Sequence, residues 1–167
     1  KDRRLAGPTA PASGLFLASA PFVLGQAPPD KKYRTALIGC GWWGKNILKE
    51  AAASKRIKVV GLCDADANVA AVAADQVNDW CGDSPKTYKF HQELLEKEKP
   101  EIVIIATPDH WHALQTIDAL KAGAHVFVEK PTGNTVNESR AMLHTARSTG
   151  RAVQVGLHRR IGPHHVS

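Results

Sequence analysis

Apolar residues recur along this chain in two rhythms. Short, nearly unbroken runs occupy Arg34–Ile38, Lys58–Cys63, Ile102–Ala106, His125–Val128 and Ala152–Gly156. Their length and density suit strands of a parallel sheet covered on both faces, Ile102–Ala106 (I-V-I-I-A) most clearly. A further short strand is expected near Thr87. Between the runs the spacing turns helical. Helices are predicted over Trp43–Ala53, Ala67–Asp79 and His91–Lys97. Another places Leu114, Ile117 and Leu120 on one face and stops at Gly123. Thr135-x-x-Glu138 is a capping box, and the helix it opens ends by Gly150. Strands alternating with helices imply right-handed crossovers, hence an α/β domain with a doubly wound parallel sheet.

In such sheets ligands gather beyond the carboxyl ends of the strands, so the residues that follow each run matter most. The first run leads into Gly39, Gly41 and Gly44, a G-x-G-x-x-G turn at a strand–helix junction. Gly39 permits the tight turn, Gly41 lets backbone lie against phosphates, and Gly44 lets the helix press onto the sheet. The second run ends in Asp64, twenty positions after Gly44, where a carboxylate can accept hydrogen bonds from an adenosine ribose and repel a 2′-phosphate. That favours NAD over NADP. Asp66 reads as a helix N-cap. After the fourth strand come Thr107, Pro108, Asp109, His110, Trp111 and His112; after the fifth, Glu129, Lys130 and Pro131; after the sixth, His158, Arg159 and Arg160. The ionisable groups thus collect on one rim.

Composition changes this picture little. The 167 residues suffice for one domain with a proper core, and 43% hydrophobic with 23% charged residues is ordinary for a water-soluble chain. The net charge of +6 sits mostly at one end, since residues 1–34 hold six Lys/Arg against two Asp. Nucleic-acid binding is therefore not indicated. Cys40, Cys63 and Cys81 offer no disulfide framework; Cys40 and Cys63 are expected as small buried thiols at strand ends. Residues 1–32 resemble a bacterial twin-arginine export leader with a linker: Arg3–Arg4, a mildly apolar Leu15–Leu24 broken by Pro21, then Gly25–Asp30. Gly7 and Pro8 depart from that motif, and the apolar stretch is too short to span a bilayer. Periplasmic export is the expectation, with a cytoplasmic location if the leader does not function.

GCGWWG at 39–44, CDAD at 63–66, ATPDHWH at 106–112, EKP at 129–131 and QVGLHRR at 154–160 together resemble the Gfo/Idh/MocA family, the glucose–fructose oxidoreductase and inositol dehydrogenase group. The likeness covers about residues 33–160, identifying that span as a Rossmann-type dinucleotide-binding domain. It implies hydride transfer between a nicotinamide cofactor, NAD with NADP possible, and a sugar, cyclitol or related alcohol; the alternative is a non-catalytic nucleotide-binding module or degenerate relative. It implies that Ala106, Thr107 and Pro108 line the dinucleotide and that Glu129 and Lys130 lie by the nicotinamide ribose. Lys130 would also touch the reacting oxygen, where an ammonium stabilises the charge left as an alcohol is oxidised. A cis Lys130–Pro131 bond is implied as well.

His112 is expected beside Lys130 in catalysis, and His110 or His112 at the ribose or substrate. Zinc ligation by these two with His158, His164 or His165 lacks a recognised spacing, and no metal is expected. Trp43 reads as packing, while Trp42 either covers the cofactor or lines substrate access; both are taken as cofactor contacts. His158 and Arg159 are candidate substrate contacts, Arg159 and Arg160 being equally readable as exposed charges. The family's second domain supplies most of the substrate pocket, an acid–base partner and the oligomer interface. Residues 161–167 are expected to be its first stretch, so this chain alone is expected to bind NAD weakly, turn over little, and tend to associate.

Overall fold

A computed structural model describes residues 30–157. Residues 1–29 of the export-like segment, His158, Arg159, Arg160 and the expected start of a second domain lie outside the described residues.

Six strands, β1 (Tyr33–Ile38), β2 (Ile57–Cys63), β3 (Lys86–Tyr88), β4 (Ile102–Ile105), β5 (His125–Glu129) and β6 (Val153–Gly156), form one parallel sheet. Its order is β3-β2-β1-β4-β5-β6. Five helices connect them: α1 (Trp42–Ala53), α2 (Ala67–Cys81), α3 (His91–Glu98), α4 (Asp109–Lys121) and α5 (Val136–Thr149). The chain winds outward from β1 in both directions. The ends of β1 and β4 therefore flank the point where the strand order reverses, the place such sheets leave open for a ligand.

The unbroken apolar runs follow from this double cover. Leu37, Leu62 and Ile104 face one core, shared with Leu48 of α1 and Ala73 and Val77 of α2. Their strand neighbours Ile38, Cys63, Val103 and Ile105 face the other, against α3, α4 and α5. Successive side chains of a strand point to opposite faces, so a strand buried on both must be apolar throughout.

Local chemistry accounts for most helix ends. Asp66 caps α2, its Oδ1 accepting from Asn68 N at 2.8 Å, and Gly82 ends it in the left-handed region. The Thr135–Glu138 capping box opens α5 as expected. The helix α1 begins one residue earlier than its apolar pattern suggests, with Gly41 as N-cap, and α2 runs two residues further, to Cys81. The face of α4 differs more. Leu114 is exposed, and the buried positions are His112, Ala113, Gln115, Thr116, Ala119 and Leu120. Three polar side chains occupy a face that apolar spacing assigned to leucine, and two of them, His112 and Gln115, reach the loops at the strand ends.

One buried polar knot ties the far edge of the sheet. Tyr88 Oη donates to Glu98 Oε1 at 2.5 Å, and Lys86 Nζ lies 3.2 Å from the same oxygen. Arg34 reaches both the Glu98 side chain and its carbonyl. The Tyr88 hydroxyl bond, followed by Lys86 and Arg34, outweighs burial and holds the Glu98 carboxyl below its ordinary value. Burial, with the facing carboxylate, pushes the Tyr88 phenol up to about 12. The carboxylate's stabilisation is complete above the unfolded-state value, near 4.5, and is lost as pH falls through the depressed folded value. Glu98→Ala, which leaves the Tyr88 hydroxyl without its acceptor, should cost about 1–3 kcal/mol at pH 7. Urea melts should show that gap closing as the pH is lowered; a constant gap would remove the knot's role.

Candidate functional site

The turn between β1 and α1 has no slack. Gly39 sits at φ +92, and a Cβ there would come 2.6 Å from the Ala106 carbonyl oxygen. A Cβ on Gly44 would lie 2.1 Å from the Gly39 carbonyl oxygen and 3.2 Å from Ala106 Cβ. Gly44 thus presses on the turn itself and on the end of β4. At Gly41 a Cβ would meet nothing within 4 Å, so protein packing does not require glycine there. The space is open on the side where α1 begins. Gly41 gives α1 no side-chain cap, which leaves the first-turn backbone facing that space, the arrangement that receives a phosphate.

Two adjoining cavities open along this rim and share Ala106 and Thr107. The first, about 540 Å³, runs from Gly39 and Gly41 past Asp64 to Lys89, Phe90 and Trp111. The second, about 390 Å³, is bounded by Trp43, Thr107, Asp109, His112, Glu129 and Lys130. Each has the size of a small-molecule site, roughly 300–1,000 Å³. An elongated ligand with two lobes joined over the glycine turn fits this outline.

Asp64 stands at the first cavity with its carboxylate already oriented. Its Oδ2 accepts from Cys40 N at 2.8 Å and its Oδ1 from Asp66 N at 3.0 Å. Each oxygen retains a second acceptor direction. Cys40 and Cys63 are buried beside it, and burial, with the Asp64 charge second, pushes both thiols up to about 12. They are inert packing groups, not nucleophiles. His91 Nε2, 2.8 Å from Asp118 Oδ2, ties α3 to α4 behind this cavity.

In the second cavity, Glu129 is a buried carboxylate at the end of β5. Its Oε2 accepts, at 3.3 Å, from the backbone N–H of Lys130. A Cβ on Gly156 would come 2.3 Å from Glu129 Oε1, so β6 makes room for this acid by lacking a side chain. The side chain of Lys130 is exposed and borders the cavity. The Lys130–Pro131 peptide is cis, as the resemblance implied. Thr107 is held through its side chain, Oγ1 donating to Gln115 Oε1 at 2.7 Å.

The glycines, Asp64, Ala106, Thr107, Pro108, Glu129 and Lys130 therefore meet along one edge. The tryptophans exchange their expected places: Trp43 borders the second cavity, whereas Trp42 is 74% exposed, borders neither, and packs against Trp43 with ring centroids 5.5 Å apart. His110 is exposed, borders neither cavity, and lies beside Trp111. His112 is 1% exposed, with both ring nitrogens against backbone carbonyls, Nδ1 2.6 Å from Pro131 O and Nε2 2.8 Å from Thr107 O. Although the ring borders the second cavity, both its nitrogens face backbone carbonyls, a placement that suits holding these two loops better than the catalytic role expected for it. Lys89, Phe90 and Gln92 line the first cavity and were not anticipated, and so does Trp111, which the sequence placed on the rim after the fourth strand without a role. The first three follow β3, and the strand-end rule that found Asp64 and Lys130 would have found them had it been applied to that short strand.

Comparison with known proteins agrees with this geometry. Residues 33–157 match the Gfo/Idh/MocA family model, described as an oxidoreductase family with an NAD-binding Rossmann fold. A glycosyl hydrolase family 109 protein of Stenotrophomonas maltophilia is 36% identical over 148 residues, which is 83% of this chain and 32% of that protein. The crystal structure of myo-inositol 2-dehydrogenase from Lactobacillus plantarum superposes with a TM-score of 0.71 at 28% identity, over 80% of this chain and 38% of that one. The WlbA dehydrogenase from Bordetella pertussis, crystallised with NADH and UDP-GlcNAcA, gives 0.67 at 26% identity, over 80% and 37%. The chain thus spans about a third of the length of these relatives. With the glycine turn, the acidic second-strand end and the paired cavities on one edge, the chain belongs to the Gfo/Idh/MocA oxidoreductase family, of which it forms the NAD-binding Rossmann domain.

Proposed function

We propose that this domain serves an enzyme that oxidises a secondary alcohol of a sugar or cyclitol, or reduces the matching ketone. The observation that carries the proposal is Lys130, an exposed cation at a cavity that also holds Thr107 and the buried Glu129 and adjoins the glycine-turn groove. NAD, when bound, supplies the hydride acceptor or donor. The backbone of the glycine turn and the start of α1 would seat its pyrophosphate, Asp64 its adenosine ribose and Glu129 its nicotinamide ribose. Ala106 and Thr107 would line the passage between the two lobes. Lys130 would hold the substrate oxygen, stabilise negative charge as it develops there, and move its proton. The remaining substrate contacts would come from a second domain, and this chain alone would bind NAD without turnover.

The test is titration of the chain with NAD and NADP, followed by alcohol oxidation in a longer protein that contains it. Stoichiometric appearance of reduced nicotinamide with a cyclic polyol supports the reading. A chain that binds neither dinucleotide overturns it. Asp64→Asn should lower NAD affinity about tenfold, the worth of a charge-assisted hydrogen bond, and should narrow the preference over NADP. An unchanged ratio of the two dissociation constants would remove Asp64 from the ribose.

The glycosyl hydrolase name of the Stenotrophomonas maltophilia relative supports a second reading, glycoside cleavage by the longer protein. Net hydrolysis leaves the nicotinamide pool unchanged. Release of an aryl glycoside's leaving group with no accumulated NADH would select this reading over dehydrogenation.

A further inference from the structure

Lys130 is a long side chain on a backbone held from both sides. Before it, Glu129 is buried against Gly156 at the end of β5. After it, the carbonyl of Pro131 lies 2.6 Å from His112 Nδ1. The same imidazole reaches Thr107 O through Nε2 at 2.8 Å, so one ring spans the loop after β5 and the loop after β4. A carbonyl only accepts, so each contact is a hydrogen bond only when that nitrogen carries a proton, and both together only when both do. Further along, the loop passes close to the start of α5 and to α4: a Cβ on Gly133 would lie 2.9 Å from Glu138 Cβ and 3.7 Å from Ala113 Cβ. Thr107, at the other end of the tie, is held a second time by Gln115, three positions along α4.

From this we infer that His112 is a positioning residue: its imidazole is wedged between the Thr107 and Pro131 carbonyls, donating to at least one of them, and thereby sets where Lys130 stands relative to the Thr107 wall of the cofactor site. The inference deepens the proposed role of Lys130 and rests on it for its kinetic part. The physical reason for expecting a large effect is that a misplacement of about 1 Å at a reacting group costs up to ~100-fold in rate. His112 transfers no proton to substrate; it removes the freedom of the segment that carries the cation.

The test has two readouts. In the 167-residue chain, lysines are reductively methylated with ¹³C, and the Lys130 signal is assigned by its loss in Lys130→Arg. His112→Ala should broaden, split or shift that signal, with NAD affinity changed less than about threefold. In the longer protein, His112→Ala should lower kcat about 10- to 100-fold while KM for the alcohol moves little. His112→Gln, whose amide can donate to one carbonyl, should recover at least part of both and guards against an alanine variant that does not fold. An unaltered Lys130 signal in His112→Ala overturns the inference whether or not the longer protein oxidises alcohols. Loss of NAD affinity in step with kcat overturns it too, by making His112 a support of the whole site. If the wild-type protein oxidises no alcohol, the proposed function fails while the Lys130 signal still decides this point.

Discussion

Gly44→Ala should raise the dissociation constant for NAD at least about 100-fold and lower the stability of the domain by about 1–3 kcal/mol, the usual cost of overpacking. The new methyl would stand 2.1 Å from the Gly39 carbonyl oxygen, closer than any real contact of that kind. The turn has little room to yield, because Gly39 already sits at φ +92, where even a Cβ of its own would come 2.6 Å from the Ala106 carbonyl oxygen. The helix α1 must therefore lift, and the backbone N–H groups at its start move with it. An anion seat made of backbone dipoles loses its strength over such distances. Gly41→Ala separates binding from folding. At φ −62 with open space around the added methyl, it should leave the melting temperature unchanged and still weaken NAD, because the methyl occupies room beside the pyrophosphate. Calorimetric titration with thermal melts of both variants checks this. A Gly44→Ala protein that binds NAD within threefold of wild type would mean that the dinucleotide does not rest on this turn.

Lys130→Met should lower kcat for alcohol oxidation in the longer protein by about 10²–10⁴, the worth of a positioned acid–base group and of charge stabilisation at the reacting oxygen. NAD affinity should change less than about threefold, and the melting temperature hardly at all, because the side chain is exposed and its neighbours hold the backbone. Methionine keeps most of the length and removes the charge, so the loss reports the cation. Single-turnover absorbance of NADH isolates the hydride step from product release. A kcat within tenfold of wild type would place the reacting oxygen elsewhere.

Two glycines, Gly39 and Gly44, could be read in the chain because their spacing follows from one strand-to-helix turn. Asp64 and Lys130 could be read because a parallel strand delivers whatever follows it to the same edge. The buried strands could be read as well: Val103, Ile104 and Ile105 alternate between two cores, and only an unbroken apolar run satisfies both. Boundaries slipped by one or two residues where caps, not apolar spacing, decide them, as at Trp42 and Cys81.

His112, Leu114 and Trp43 were not legible, for a common reason. Each depends on which neighbour a helix face meets. Apolar spacing placed Leu114 inside α4, yet the buried face there holds His112, Gln115 and Thr116. The partners of His112 are carbonyls five and nineteen residues away, and no local pattern encodes them. Of two adjacent tryptophans, the helix start at Gly41 decides which one borders the cavity that Lys130 also borders.

What the amino-acid order determined by itself was the alternation of strand and helix, the anion turn and the chemistry at each strand end, because periodicity and sequence spacing are local properties of a chain. What only the folded arrangement decided was the division of labour at the rim: Lys130 exposed, Glu129 buried against Gly156, and His112 set between two backbone carbonyls. Those roles arise where β4, β5, β6 and α4 converge, and contacts between segments far apart in sequence exist only once the sheet has set their register.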